Sequence, residues 1–175
     1  MLYCIFDTET TGLVLHPLAN DSRQPRIIEF AALLVDGQGN EIDELVTLIN
    51  PQITFDDVIT EITGITNEDV RSAKVWSKKN SEIFSFISRA DTIIAHNAPF
   101  DCSMVELEQA RLGQETVWPR NRICTVQEHA EEWGYRPKLT ELYEHYTGEP
   151  LEQTHRALDD VRALVTICKH MEIIK

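Results

Sequence analysis

Apolar runs separated by turn residues dominate the first third of the chain. Residues 2–6 (LYCIF) and 27–35 (IIEFAALLV) are nearly continuous apolar stretches of strand length. Residues 36–40 (DGQGN) are rich in Gly and Asn, and residues 41–49 (EIDELVTLI) return to apolar positions. The first run is therefore predicted to be a buried strand, and the next two to form a β-hairpin.

The pattern changes to helical spacing further along. Short strands are expected at 92–96 and 122–124. Residues 56–62 are expected to form one or two helical turns, and residues 66–69 to start a helix. Further helices are expected to span 75–90, 99–112, 125–132, 139–146 and 157–171. An antiparallel hairpin followed by strands alternating with helices predicts an α/β fold with a mixed sheet flanked by helices. We expect residues 1–175 to form a single domain.

Composition adds little to the prediction of the fold, but it limits the cellular compartments in which the protein is expected. The 175 residues are 42% hydrophobic, which is enough for one full core. No apolar stretch approaches the ~18 residues of a membrane span, and the first residues lack the basic region of a signal peptide. The four cysteines lie far apart among apolar residues, so we expect buried free thiols. A cytoplasmic protein is the simplest expectation.

The formal charge of −13 argues against a protein that binds nucleic acid by general electrostatic attraction. Two basic groups stand out from this background, at 70–79 (VRSAKVWSKK) and 135–138 (YRPK). Both basic groups are expected on solvent-exposed surfaces, although the second group is better placed to contact backbone phosphates. Any nuclease hypothesis has to account for the acidity.

Two carboxylates follow the first strand directly. Side chains two residues apart on a strand point to the same side, so Asp7 and Glu9 face together if the strand continues through Glu9. Such a pair repels unless a cation lies between the two groups, and hard divalent ions prefer oxygen ligands. Alternatively, the strand ends at Phe6 and both acids are solvated.

Two further acids occupy helical positions. Asp101 lies in the first turn after Pro99 and shares helical spacing with apolar residues; it is either a site residue or an acid that complements the helix dipole. In the last helix, steps of three and four residues from Asp160 reach apolar positions, whereas the same steps from Asp159 reach polar ones. Asp160 is therefore predicted to point inward, and an inward acid requires a partner.

His155 lies five residues before Asp160, which is about 140° away on an ideal helix. The two side chains cannot share a face if both are helical. We therefore expect His155 on the loop that enters the helix, either exposed to solvent or turned toward a site.

Taken together, FDTETTGL, AHNAPFD and HRALDD resemble the three signature segments of the DnaQ-like 3′→5′ exonucleases. The third segment resembles the histidine-containing (DEDDh) branch, which includes polymerase proofreading subunits, RNase T and oligoribonuclease. The resemblance covers residues 1 to about 168. It implies an RNase H-like fold with a five-stranded mixed sheet, and an enzyme that releases 5′-mononucleotides from 3′ ends with two Mg²⁺ or Mn²⁺ ions. By motif position it implies the metal ligands Asp7, Glu9, Asp101 and Asp160, with Asp7 bridging both ions and His155 as general base.

The same resemblance implies substrate contacts. Leu13 matches the apolar residue beside the terminal base, Thr10 is expected to hold the 3′-terminal sugar, and Phe100 to lie near the penultimate nucleotide. Ordinary core packing is the alternative for Leu13 and Phe100. The expected partners are nucleic-acid 3′ ends, single-stranded or frayed, and a DNA polymerase.

The sequence departs from that family in two places. Thr63 stands where proofreading relatives often have a His, which puts a sugar or base contact in doubt. The segment between Leu13 and Arg26 is longer than in compact relatives and is expected to be an exposed loop. DNA is the favoured substrate. RNA trimming remains an alternative within the enzyme class, and a non-catalytic adaptor on the same fold is an alternative outside it.

Overall fold

The computed structural model describes residues 1–15, 22–152 and 155–175. Its centre is a five-stranded mixed sheet in the order β3-β2-β1-β4-β5. The strands are β1 (Tyr3–Thr10), β2 (Ile27–Val35), β3 (Glu41–Leu48), β4 (Thr92–Ala95) and β5 (Asn121–Cys124). The first three pair antiparallel, while β1–β4 and β4–β5 are parallel, which confirms the predicted mixed sheet.

Helices cover the sheet as the sequence pattern predicts. They are α1 (Asp57–Thr63), α2 (Asn67–Arg71), α3 (Trp76–Ile87), α4 (Ala98–Arg111), α5 (Thr125–Trp133), α6 (Leu139–Thr147) and α7 (Ala157–His170). Thr66 and Asp69 form a capping box that starts α2, and Gly148 ends α6 with a φ of 75°. Among the described residues, no helix is long and apolar enough to cross a membrane.

Alternation along β1 divides the core into two layers. Cys4 and Phe6 pack into the cluster that includes α3 and α4, whereas Tyr3 and Ile5 pack into the cluster that includes α6 and α7. Asp7 and Glu9 continue the second set, since side chains along a strand alternate between faces. Thr8 continues the first set. The end of β1 therefore offers polar groups to both layers.

The hairpin between β2 and β3 is fixed by its turn. The side chain of Asp36 accepts hydrogen bonds from the backbone N–H groups of Gln38 and Asn40, both at 2.9 Å. Gly39 has a φ of 76°, a conformation that favours glycine. On the other side of β2, the register places Glu9 opposite Glu29, with an irregularity between Glu9 and Thr10.

One expectation requires correction, and a second is met in part. β1 does not end at Phe6 but continues to Thr10, so Asp7 and Glu9 lie on the strand and not on a solvated loop. In the segment between Leu13 and Arg26, Leu15, Ser22 and Arg23 are exposed as expected, whereas Gln24 and Pro25 are buried. The Gln24 side chain pairs with the backbone N–H and carbonyl of Leu15, at 2.9 and 2.7 Å, which fixes the base of this segment. Residues 16–21 lie outside the described part of the chain. All four cysteines are buried free thiols, as expected.

Candidate active site

Three carboxylates meet where β1 approaches the N-terminus of α7. Asp7, Glu9 and Asp160 each offer one oxygen, and these atoms all lie within 4.8 Å of one another. Asp7 and Glu9 share a face of the strand, and Asp160 is in the first turn of α7, which packs against β1. Asp160 is half-buried and its neighbour Asp159 is exposed, in agreement with the helical spacing.

Asp101 reaches the same place from α4 but is held by other contacts. Its carboxylate is buried, with 3% relative exposure. The oxygen Oδ1 accepts a hydrogen bond from the Thr8 backbone N–H at 3.2 Å and another from the Thr8 hydroxyl at 2.8 Å. Asp101 is thus tied to the neighbouring residue of Asp7 on β1, just outside the compact group of three.

Burial and mutual repulsion raise the pKa of these acids. For Asp7, burial is the largest cause, followed by the charges of Asp101 and Glu9, and its pKa lies well above the usual range. Burial and the charge of Asp160 raise the pKa of Glu9 to about 8. Burial raises the pKa of Asp101 to about 7, although the Thr8 hydrogen bonds oppose this effect. The group is unfavourable in its charged form unless cations are present.

The donor set fits a hard divalent cation. All candidate ligands are carboxylate oxygens, which Mg²⁺, Mn²⁺ and Ca²⁺ prefer over nitrogen or sulfur. Asp7, Glu9 and Asp160 are close enough together to hold such an ion. Asp101 borders the same space and could contribute a further oxygen.

These acids form the floor of an open pocket of about 680 Å³. Phe100 and His155 line it as well, and Arg136 and Lys138 contribute a basic wall. A pocket that combines an acidic floor with a basic wall can accept an anionic ligand together with cations. Of the predicted site residues, the pocket brings together Asp7, Glu9, Phe100, Asp101, His155 and Asp160.

His155 precedes α7, as predicted for a loop residue that enters the helix. It is exposed and lies on the pocket lining. Its φ of 52° is left-handed, which is uncommon for a residue with a side chain. Residues 153 and 154, which come directly before it, lie outside the described part of the chain.

The basic wall is fastened to the end of β4. His96 Nε2 lies 3.1 Å from the Pro137 carbonyl, and His96 Nδ1 lies 2.9 Å from the Thr125 hydroxyl. Since a carbonyl only accepts, Nε2 carries the hydrogen and Nδ1 accepts from Thr125. Burial lowers the pKa of His96 to about 4, which keeps it neutral. Arg136 donates to the Asn97 side-chain oxygen at 2.8 Å.

Sequence reasoning missed a fifth acid at this site. Glu29 has 1% relative exposure, lies opposite Glu9 and adds to the charges that raise the pKa of Asp7 and Glu9. It pairs with Arg156 and with the backbone N–H of Ala157, at 3.0 Å for the latter. A single charged residue within an otherwise apolar buried strand was the signal that could have identified it.

The remaining predicted contacts lie beyond the pocket. The hydroxyl of Thr10 donates to the Gly12 carbonyl at 2.8 Å, and Leu13 is 79% exposed beside a separate groove. Thr63 is buried; its hydroxyl donates to the Ile59 carbonyl and accepts from the Ile65 N–H. Thr63 therefore completes the end of α1 instead of facing a ligand, while the substrate roles of Thr10 and Leu13 stay predictions.

Comparisons with known proteins identify the family of the chain. The model of an exonuclease family, RNase_T, matches residues 4–168. A DNA polymerase III PolC-type protein of Clostridium perfringens is 28% identical over 167 residues, which cover 95% of this chain and 11% of the relative. The PolC-type protein of Thermotoga maritima is 30% identical over 182 residues, which cover 99% of this chain and 12% of the relative. The chain thus spans about a tenth of the length of these curated relatives.

Solved structures show the same fold. Escherichia coli Exonuclease I in complex with a dA16 oligonucleotide aligns with a TM-score of 0.79 and 20% identity, over 99% of this chain and 41% of that one. The nuclease domain of 3′hExo, described as a DEDDh family member bound to rAMP, aligns with a TM-score of 0.74 and 18% identity, over 97% of this chain and 90% of that one.

Proposed function

The chain belongs to the RNase_T exonuclease family. On this premise we propose that it is a 3′→5′ exonuclease of the DnaQ-like DEDDh group that releases 5′-mononucleotides from the 3′ ends of DNA. The observation that carries the proposal is the group Asp7, Glu9 and Asp160, whose ligand atoms lie within 4.8 Å of one another on the lining of a pocket that also contains His155. DNA is favoured because the PolC-type relatives are DNA polymerases by name.

Each residue at the site has a role that phosphodiester hydrolysis requires. Asp7, Glu9, Asp101 and Asp160 would hold divalent cations, two Mg²⁺ or Mn²⁺ ions in our proposal. When bound, the ions offset the charge that builds on the phosphate and leaving oxygen and make water more acidic. A ring nitrogen of His155 accepts the proton of the attacking water, a contribution of typically ~10²–10⁴ in rate.

The pocket walls bind the strand in this proposal. Arg136 and Lys138 contact backbone phosphates, which explains basic residues beside an acidic floor. Phe100 stacks near the penultimate nucleotide. Thr10 and Leu13 contact the terminal nucleotide in this proposal, and Leu13 offers an exposed apolar surface in a separate groove.

We further propose that the nuclease acts on single-stranded or frayed ends that a DNA polymerase delivers. The PolC-type relatives contain this region as about a tenth of a polymerase chain. A net charge of −13 gives weak general attraction to nucleic acid, which suits a nuclease that grips a few terminal nucleotides and relies on a partner for delivery.

Matched oligonucleotides test the proposal. 5′-labelled single-stranded DNA, duplex DNA with a 3′ mismatch and single-stranded RNA of the same sequence are incubated with Mg²⁺, with Mn²⁺ and with EDTA. We expect a ladder that shortens from the 3′ end, faster on DNA than on RNA, and no products in EDTA. Faster RNA shortening would replace the DNA preference with RNA trimming. No ladder on any substrate, together with no Mn²⁺ binding at millimolar concentration, would favour the adaptor.

A further inference from the structure

Glu29 is a buried carboxylate in the middle of an acidic site, and its position calls for an explanation. It lies on β2 directly opposite Glu9, and its relative exposure is 1%. A buried carboxylate beside other carboxylates is costly unless it is paired and hydrogen-bonded. The charge of Glu29 must therefore be compensated by strong hydrogen bonds or ion pairs.

Residues 156 and 157 supply these partners. Arg156 Nε donates to Glu29 Oε2 at 3.2 Å, and Arg156 Nη2 donates to Glu29 Oε1 in a short contact. The Ala157 backbone N–H at the start of α7 donates to Oε2 at 3.0 Å. Both oxygens of Glu29 are engaged in this two-pronged pair and at the positive end of the helix. The negative charge of Glu29 is thus compensated by Arg156 and by the N-terminus of α7. Glu29 is not among the group of close ligand atoms.

His155 comes directly before Arg156 in the chain, so the contacts between Arg156 and Glu29 also constrain the backbone at His155. Its φ of 52° is a left-handed conformation, which persists in a residue with a side chain only where the surroundings enforce it. Arg156 follows it directly, and 46% of the Arg156 side chain is exposed, so burial alone does not hold the Arg in place. The bonds to Glu29 fix the backbone on the C-terminal side of His155.

We propose that Glu29 and Arg156 are positioning residues that hold His155 against the catalytic carboxylates. The pair ties β2 to the start of α7, and β2 is paired with the strand that carries Asp7 and Glu9. The histidine and the acids therefore share one rigid frame. This inference rests on the proposed function, since it assigns the pair to the general base of that reaction.

Substitution of Arg156 tests the inference. Because it leaves the buried Glu29 carboxylate without its guanidinium partner, stability is measured by urea denaturation alongside activity, and kcat is compared for the folded protein. We expect Arg156→Gln to lower kcat roughly 10- to 100-fold, the range for residues that orient a ligand or base, with KM changed less than about threefold. Mn²⁺ binding should stay within about threefold. Arg156→Lys keeps the charge but loses the two-pronged geometry, so its kcat should fall between the two.

A matched control comes from the same helix. Arg162 makes an exposed ion pair with Glu44 at 2.8 Å, and Arg162→Gln should leave kcat unchanged. The decisive measurement is the cycle with His155→Ala. If Arg156 acts through His155, Arg156→Gln lowers kcat no further in the His155→Ala background. Independent, multiplicative losses would instead indicate a merely structural role and overturn the inference.

A measurement that does not depend on activity distinguishes the positioning inference from the proposed function. The imidazole proton signal of His155, assigned by its loss in His155→Ala, should move toward the free-histidine position in Arg156→Gln and stay unchanged in Arg162→Gln. An active wild type whose His155 signal and kcat are unaffected by Arg156→Gln overturns the positioning inference alone. A wild type inactive on every substrate overturns the proposed function and the role of the pair with it.

Discussion

The acidic pocket and the cluster around Glu108 both contain buried carboxylates, but they balance charge in opposite ways. Glu108 on α4 has 3% relative exposure and accepts a hydrogen bond from the Ile27 N–H at 3.2 Å. Arg26 lies 3.3 Å and Arg111 3.1 Å from its oxygens, so two guanidinium groups surround one carboxylate. In the pocket, Asp7 and Glu9 face other acids, and the charges of those acids add to burial in raising the pKa of both residues.

The difference separates a structural charge from a functional one. At Glu108 the protein supplies the counter-charge itself through Arg26 and Arg111. The ion pair with Arg26 and the hydrogen bond from Ile27 fasten the start of β2 to the C-terminal half of α4. In the pocket the protein supplies less counter-charge, so the acids either bind protons or need a bound cation to offset their charge. Loss of an acid should therefore weaken the fold in the first region, and in the second it should weaken activity while relieving repulsion.

The largest effect is expected for Asp7→Asn. Loss of this proposed metal ligand should lower kcat at least ~10³-fold, since metal-assisted charge stabilisation would supply several kcal/mol. The melting temperature of the metal-free protein should rise, because one member of the repelling group becomes neutral. Activity is measured on 5′-labelled DNA, and melting in EDTA. Asp159→Asn, beside Asp160 but exposed, is the control and should keep full activity.

His155→Ala should come next. We expect kcat to fall by ~10²–10⁴ in single-turnover assays, the usual contribution of a general base. Mn²⁺ affinity and the melting temperature should remain those of the wild type, because His155 is exposed and lies outside the group of close ligand atoms. His170→Ala, an exposed histidine at the other end of α7, serves as the control. Full activity in His155→Ala would remove it from the mechanism.

Glu108→Gln tests the other side of the comparison. Removal of the carboxylate leaves Arg26 and Arg111 without their shared partner, which should lower the free energy of unfolding by about 3 kcal/mol. Urea denaturation measures this change. The kcat of the folded fraction should stay within about threefold of wild type, the range expected when no group at the chemistry is touched. A loss of kcat without a loss of stability would end the proposed division between the two regions.

The pH dependence of stability offers a sharper test without mutation. The pKa of Glu9 is raised to about 8 and that of Asp101 to about 7, so the folded protein binds more protons than the unfolded chain above pH ~4. Metal-free protein should therefore lose stability as pH rises from 5 to 8, and its melting temperature should fall across that window.

Saturating Mg²⁺ or Mn²⁺ should reduce or reverse that trend, because cations bind the deprotonated carboxylates. Calorimetry at fixed ionic strength, with EDTA or with metal, makes the comparison. The same scan with Asp7→Asn should show a shallower slope. A metal-free protein that gains stability toward pH 8 would contradict the proposed repulsion.

The smallest effect is expected at the basic wall. Arg136→Ala should raise KM roughly fivefold with little change in kcat, since a charge-assisted contact to phosphate contributes about 1 kcal/mol at a partly exposed site. The salt dependence of KM should also become shallower. Arg120→Ala, an exposed arginine away from the pocket lining, should change neither quantity. Equal effects of both variants would point to general attraction instead of a contact.

Much of this architecture is readable in the sequence because the apolar runs are long and well separated. The hairpin of β2 and β3 and the inward direction of Asp160 follow from simple periodicity. The continuation of β1 through Thr10 could not be read with certainty, since charged residues at a strand end resemble a loop. It depends on pairing with β2, a tertiary contact.

The supporting contacts of the site were less predictable. The bond from Thr8 to Asp101 joins residues 93 positions apart, and the pair of Glu29 with Arg156 joins residues 127 positions apart. Periodicity carries no information about such distant partners. Glu29 also lies within an apolar strand, and the hydrophobic pattern of that strand identifies the apolar residues around Glu29 as core residues without indicating a role for Glu29 itself. The basic group at 135–138 was visible, but its attachment through His96 was not.

The distribution of the site along the chain has a consequence for protein synthesis. Asp7 and Glu9 are made at the beginning, Asp101 in the middle, and His155 and Asp160 near the end of this sequence. A nascent chain can pair β1 with β2 and β4 long before α7 leaves the ribosome. A fragment that ends before α7 can therefore contain the paired strands and still lack His155 and Asp160, two of the residues to which the proposed activity is assigned.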